Sequence, residues 1–182
     1  MKILVVCSAN IARSQAIAHY LEKYSTKQGL TLEIKSAGTN RELINKLIEK
    51  KANSFPLTDK ILSAADKLNE KTTTRTTGYA KPLTKELTEW ADKIIAVDEN
   101  TRLAIQTMFP TNPKKVVLAK EMAAGKKLPL TANFKDPYAS SKPKRYRRSS
   151  KQSTLKNPQP KAFWLMAKEA QHISKGIIRR LK

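Results

Sequence analysis

The chain has 182 residues, of which 40% are apolar and only five are glycine, so it is long enough to bury one hydrophobic core. Its 36 lysines and arginines against 15 acidic residues give a formal net charge of +21, which predicts attraction to polyanions. No run of about eighteen apolar residues occurs, which argues against a transmembrane helix. We expect one domain over residues 1–182. We expect a cytoplasmic location, and export into a host cell as an effector stays open. A single cysteine excludes a disulfide within the chain and fits a reducing compartment.

The amino-terminal part of the chain has the pattern strand, loop, helix. Residues 2–6 form a compact run of branched apolar side chains, typical of a strand buried on both faces. Apolar residues then recur at helical spacing and predict a helix over 14–27. Residues 31–36 alternate like a second strand, and 41–51 predicts an amphipathic helix on the surface.

Strands and helices continue to alternate along the rest of the chain. The remaining predicted strands are 93–97 and 115–118, and the remaining predicted helices are 58–69, 83–90, 99–108 and 161–181. This alternation is typical of a parallel sheet with helices on both faces, which binds ligands at the carboxyl ends of its strands. We therefore predict an α/β fold with three layers, α/β/α, and Cys7 lies at the end of its first strand.

One segment departs from this pattern. Residues 140–160 combine serines and prolines with a cluster of cations, a composition typical of a mobile insertion. The cluster includes Lys142, Lys144, Arg145, Arg147, Arg148 and Lys151. A charge run of this kind is most often a solvated loop. The alternative is a contact through 142–151 with nucleic acid or another polyanion, an acidic membrane or an acidic protein.

The loop after the first strand has the spacing of a phosphate site: a thiol, five residues, an arginine and a serine that begins a helix. Its backbone N–H groups can curl inward over the positive end of that helix, which favours a thiolate at Cys7 able to attack phosphorus. Arg13 would grip two phosphoryl oxygens, and Ser14 would donate its hydroxyl to the sulfur. The predicted phosphate-binding residues are Ser8, Ala9, Asn10, Ile11, Ala12, Arg13 and Ser14. The alternative is a buried structural cysteine.

This stretch resembles the signature of the low-molecular-weight protein tyrosine phosphatases. The triplet Asp136-Pro137-Tyr138, which follows the fourth predicted strand, resembles the one from which that family supplies its general acid. The resemblance implies a four-stranded parallel sheet, a phosphocysteine intermediate with Cys7, Arg13 and Asp136 as catalytic residues, and no metal or organic cofactor. It also implies a phosphotyrosine protein substrate, which the charge predicts to be acidic, with Ile11 and Tyr138 contacting it.

The loop departs from the family at three positions, where Ala9, Ala12 and Gln15 replace the usual glycine, cysteine and proline. The histidine that supports the loop asparagine in the family is also absent, with Gly78 near its expected place. We therefore expect Asn10 to be held in a different way.

Three other functions stay open. A phosphoserine or phosphoinositide phosphatase could be built on the same fold. An arsenate reductase is less favoured, because the internal relay of those enzymes needs cysteines that this chain lacks. In a non-catalytic protein, the loop would bind phosphate while the basic surface binds nucleic acid.

Overall fold

A computed structural model of the protein describes residues 1–49, 80–129, 133–134 and 160–182. Its sheet has four parallel strands in the spatial order β2-β1-β3-β4. The strands are β1 Lys2–Cys7, β2 Glu33–Gly38, β3 Lys93–Ala96 and β4 Val116–Leu118. The four-stranded parallel sheet and the α/β class expected from the sequence are confirmed.

Helices connect and cover these strands. They are α1 Arg13–Lys27, α2 Arg41–Glu49, α3 Lys85–Trp90, α4 Glu99–Met108, α5 Ala119–Ala124 and α6 Pro160–Arg180, with a short 3-10 turn at Pro113–Lys115. The sequence did not predict α5. Helix α2 was expected as an amphipathic surface helix, and it exposes Arg41, Glu42, Asn45 and Lys46 while Ile44 is completely buried. The predicted helix 58–69 and segment 142–151 of the basic insertion lie outside the described residues.

The hydrophobic core lies on both faces of the sheet because alternate side chains of β1 point in opposite directions. Ile3, Val5 and Cys7 pack with α1 and α6 on one face. Leu4 and Val6 pack with apolar residues of β3, α4 and the segment before α3 on the other. The result is the predicted arrangement of helix, sheet and helix.

Helix α6 is the longest described helix, with 21 residues, and it packs against α1 and α5. Its Ser174 hydroxyl donates to the carbonyl of Ile17 at 3.2 Å, which fixes α6 against the middle of α1. Within the described ranges, no helix is both long and apolar enough to cross a membrane.

The topology determines where a site can form. β1 is a central strand, paired with β2 on one side and β3 on the other, so Cys7 lies in the middle of the carboxyl edge. The turn that begins at Gly38 and the segment Val97–Asp98 flank it where the neighbouring strands end. Residues from three separate parts of the chain therefore meet around one thiol.

Candidate active site

The thiol of Cys7 lies at the base of the loop that joins β1 to α1. It is only 3% exposed, and its Sγ lies 3.0 Å from the hydroxyl oxygen of Ser14. The backbone N–H of Asn10 donates to the same sulfur at 3.1 Å. The sulfur therefore has hydrogen-bond partners on two sides, and the thiolate is the nucleophilic form of a cysteine.

Asn10 contacts Ser14 directly beside the hydrogen bond between Ser14 and Cys7. The backbone N–H of Lys81 donates to Oδ1 of Asn10 at 2.9 Å, and a backbone N–H can only donate. The amide nitrogen of Asn10 therefore faces Ser14, where it donates to the hydroxyl oxygen at 3.0 Å. Between Ser14 and Cys7 either group can donate, but a thiolate can only accept, so the Ser14 hydroxyl is the donor whenever Cys7 is ionised.

The amino terminus of α1 carries no negatively charged or capping side chain. The residue before the helix is Ala12, which provides no side-chain cap, and the first turn contains no acidic residue. The first N–H groups of a helix have no partner within the helix and carry the positive end of its dipole. An anion placed above Cys7 would lie at this positive end.

Arg13 begins α1 and is held from the far side of the site. Its guanidinium forms an ion pair with Asp98 at 2.5 Å and donates to the carbonyl of Phe134 at 3.4 Å. Side chains of both partners are largely buried, with 9% of Arg13 and 16% of Asp98 exposed. Sequence reasoning assigned no role to Asp98, although an aspartate that follows a strand and caps the next helix was a usable signal.

Asp98 is ionised because several groups donate to it. Burial alone would raise the pKa of its carboxyl group, but hydrogen bonds from Thr101 and the nearby charge of Arg13 outweigh burial and lower the pKa. Oδ1 accepts from the backbone N–H of Thr101 at 2.8 Å and from its hydroxyl at 2.7 Å, which caps α4. The Asp98 carboxylate therefore both caps α4 and holds the guanidinium of Arg13.

The loop is also braced from the turn after β2. The backbone N–H of Thr39 donates to the carbonyl of Cys7 at 3.0 Å, and that of Asn40 donates to Ser8 at 2.8 Å. Gly38 permits this contact, because a Cβ there would lie 2.6 Å from the carbonyl oxygen of Ser8 and 2.9 Å from Ala9. The absence of a side chain at Gly38 thus lets the second strand support the loop.

The predicted site residues fall into two groups. The structure places Asn10 and Ser14 against the thiol of Cys7, and the other predicted phosphate-binding residues lie in the same loop between β1 and α1 or at the start of α1. Ile11 is 4% exposed and packs in the core with Ala12, so little of its surface is open to a ligand. Asp136 and Tyr138 lie outside the described residues. Asp98, Lys81 and Gln15 are contributors that the sequence did not indicate.

Comparison with known proteins gives the family. The sequence model described as "Low molecular weight phosphotyrosine protein phosphatase" matches residues 2–152. A search of curated proteins found no significant match.

Several solved structures share the fold. A YwlE mutant from Bacillus subtilis is 19% identical with a TM-score of 0.73, covering 100% of this chain and 98% of its own. A low molecular weight protein tyrosine phosphatase from Bacillus subtilis is 18% identical with a TM-score of 0.70, and the match covers 100% of this chain and 97% of that one. YwlE arginine phosphatase from Geobacillus stearothermophilus is 19% identical with a TM-score of 0.69, and the match covers 99% of this chain and 92% of that one. The chain belongs to the low molecular weight phosphotyrosine protein phosphatase family.

Proposed function

We propose that this chain is a protein tyrosine phosphatase that uses Cys7 as its nucleophile. The observation that carries the proposal is the environment of the sulfur, which receives donors from Asn10 and Ser14 at the uncapped amino terminus of α1. A purely structural cysteine needs neither two donors nor an adjacent anion site. The same features that favour a thiolate would also bind the phosphoryl group that it attacks.

In the first step, the thiolate of Cys7 attacks phosphorus and the bond to the leaving oxygen breaks. The loop N–H groups and Arg13 stabilise the negative charge of the transferring phosphoryl group. Asp136 gives its proton to the leaving oxygen, so a neutral phenol departs and a phosphocysteine remains. Asp136 is two residues after Phe134, whose carbonyl contacts Arg13, and two residues span at most about 7 Å of extended chain.

In the second step, water attacks the phosphocysteine. The Asp136 carboxylate accepts a proton from the water, and the bond from sulfur to phosphorus breaks. Ser14 stabilises the departing thiolate, since its hydroxyl oxygen lies 3.0 Å from the sulfur and a thiolate can only accept. Inorganic phosphate leaves, and both Cys7 and Asp136 return to their starting states.

The substrate that we propose is a phosphotyrosine in an acidic protein. The family description names phosphotyrosine, and the high net positive charge favours acidic partners. Ile11 and Tyr138 are the proposed contacts with the phenyl ring, although the near-complete burial of Ile11 leaves only a small surface for it. Phosphoarginine is the second candidate, because an arginine phosphatase is among the similar structures.

The first experiment exploits the single thiol of the chain. Wild type and Cys7→Ser are compared for hydrolysis of para-nitrophenyl phosphate, with and without vanadate, and for a phosphoenzyme detected by mass spectrometry after an acid quench. We expect hydrolysis and vanadate inhibition for wild type only. Alkylation with iodoacetamide provides a matched control, because only Cys7 can react at a thiol and activity should fall in proportion to the modified fraction. Full hydrolysis by Cys7→Ser would overturn the proposal.

A second experiment separates the substrate classes. The enzyme is given phosphotyrosine, phosphoserine and phosphoarginine peptides of identical flanking sequence, together with phosphoinositides. Preference for phosphotyrosine, measured as kcat/KM, supports the proposal. Preference for phosphoarginine would retain Cys7 chemistry and reject the assignment to tyrosine.

A further inference from the structure

Asn10 has an unusual backbone conformation and a complete set of hydrogen bonds. Among the described residues other than glycine, only Asn10 has a positive φ, at 53°. Residues with a side chain seldom adopt this left-handed backbone region, so surrounding contacts must hold the backbone of Asn10 in place. Its N–H, side-chain amide nitrogen and side-chain oxygen contact Cys7, Ser14 and Lys81 as described above. Its backbone carbonyl is the fourth polar group.

That carbonyl is held by Gln15. Nε2 of Gln15 lies 2.7 Å from the carbonyl oxygen of Asn10, and because a carbonyl can only accept, the glutamine nitrogen must face it. Gln15 is only 5% exposed and belongs to the first turn of α1, a helix anchored in the core. The donor therefore belongs to a buried side chain that the helix holds in position, and not to a mobile side chain on the surface.

The carbonyl of Asn10 and the N–H of Ile11 belong to the same peptide unit. In a planar trans peptide these two groups point in opposite directions, and the described residues contain no cis peptide. Fixing the carbonyl towards Gln15 therefore fixes the direction of the Ile11 N–H. If this peptide rotated, a carbonyl oxygen would take the place of an N–H in the loop and would repel an anion.

We propose that Gln15 is a positioning residue that sets the Asn10–Ile11 peptide for phosphate binding and keeps Asn10 on Cys7 and Ser14. This inference rests on the proposed phosphatase function. In this role Gln15 acts through its hydrogen bond to Asn10, whose strained backbone would otherwise have other orientations available.

Two substitutions of similar shape test the inference. Gln15→Met removes the donor and keeps the length of the side chain. Gln15→Glu replaces the donor with a carboxylate, which regains a donor when it is protonated. Ser25→Ala is the matched control, since Ser25 is also buried on α1 and its hydroxyl donates to the carbonyl of Glu22, far from the loop.

The measurements are kcat and KM with para-nitrophenyl phosphate, the dissociation constant of inorganic phosphate, the rate of Cys7 alkylation and the free energy of unfolding. We expect Gln15→Met to lower kcat/KM and phosphate affinity about tenfold each, the effect of one hydrogen bond. Near neutral pH, Gln15→Glu should show a larger loss of kcat/KM and of phosphate affinity than Gln15→Met. Both quantities should recover relative to Gln15→Met as the pH falls and the carboxyl group protonates. Ser25→Ala should lose stability only.

The outcomes separate the two proposals. Wild-type hydrolysis together with unchanged phosphate affinity, alkylation and kcat/KM in both Gln15 variants would overturn the role of Gln15 and leave the phosphatase standing. Loss of activity only in proportion to lost stability, as in a general folding defect, would overturn it as well. If wild type does not hydrolyse phosphoesters, the proposed function fails, and phosphate affinity and alkylation still decide whether Gln15 positions the loop.

Discussion

Arg13 and Asp98 form an ion pair across the carboxyl edge of the sheet, joining the helix after β1 to the segment after β3. The pair fixes a guanidinium that would otherwise lose considerable side-chain entropy on gripping a phosphoryl group. Asp98 is itself fixed by two hydrogen bonds from Thr101. The proposed anion site is therefore organised before a substrate arrives, and this organisation makes the contribution of Asp98 measurable.

Asp98→Asn should lower kcat/KM about ten- to a hundredfold, because the neutral amide can still cap α4 but no longer holds the Arg13 charge in place. Asp92→Asn is the matched control, since Asp92 directly precedes β3 and accepts from the backbone N–H of Lys2 at the opposite edge of the sheet. The check is steady-state kinetics of both variants with phosphotyrosine peptide. Equal activities in the two variants would show that the ion pair with Arg13 is not needed.

The stabilising effect of Asp98 should depend on pH with a definite sign. Its pKa in the folded protein lies below the value of about 3.9 in an unfolded chain, so the folded state favours the ionised form. Its contribution to stability is therefore complete above about pH 5 and is lost as the pH falls through the folded pKa. Chemical unfolding should show wild type more stable than Asp98→Asn near neutral pH, with the difference shrinking below about pH 4. A difference that grows on acidification would contradict the lowered pKa.

Gly38→Ala should disturb the loop without touching any catalytic side chain. The new methyl group would lie 2.6 Å from the Ser8 carbonyl and 2.8 Å from Ile44, so the loop must shift. A displacement approaching 1 Å can cost about a hundredfold in rate, and we expect kcat/KM to fall by tenfold or more. Gly29→Ala is the control: Gly29 has a φ of 67° and no atoms within 4 Å of an added Cβ, so it should lose roughly 1 kcal/mol of stability and keep its activity. Equal activity in both variants would refute the role given to Gly38.

Much of this organisation could be predicted from the sequence because it depends on local spacing. The buried strand before Cys7 and the helix after Arg13 were predicted within one residue of their observed bounds. Asp98 and Lys81 received no role because they reach the loop from more than seventy positions along the chain, and only the fold reveals such contacts. The short helix α5 was missed because it follows β4 directly and no side chain caps its first turn, whereas the equally short α3 begins after the capping Thr84.

Gln15 illustrates a different limit of the sequence. It is close to Asn10 along the chain, yet the spacing alone does not tell that its side chain returns to a carbonyl five residues earlier. That contact depends on the positive φ of Asn10, which no sequence pattern in the loop indicates. The sequence predicted that Asn10 is held differently from the family, but only the structure identifies the groups that hold it.

Ser14→Ala should slow the second chemical step more than the first. Without the hydroxyl that points at Cys7, the thiolate is a poorer leaving group, so phosphocysteine should accumulate. Rapid-mixing measurements with para-nitrophenyl phosphate should show a burst of nitrophenol followed by slower turnover. Ser25→Ala, on the same helix, should show the wild-type time course. A slow first step without a burst in Ser14→Ala would mean that Ser14 supports the attack of Cys7 on phosphorus and not the breakdown of the phosphocysteine.

Asp136→Ala should affect substrates in proportion to the basicity of their leaving groups. Phenolate from phosphotyrosine needs the proton of a general acid, whereas nitrophenolate is a much weaker base and departs more easily without one. The ratio of kcat for phosphotyrosine peptide to kcat for para-nitrophenyl phosphate should therefore fall at least about tenfold in the variant, the lower part of the range for general acid catalysis. Asp92→Asn should leave that ratio unchanged, because its carboxylate serves the backbone of Lys2. An equal loss for both substrates would mean that Asp136 supports the loop and another group protonates the leaving oxygen.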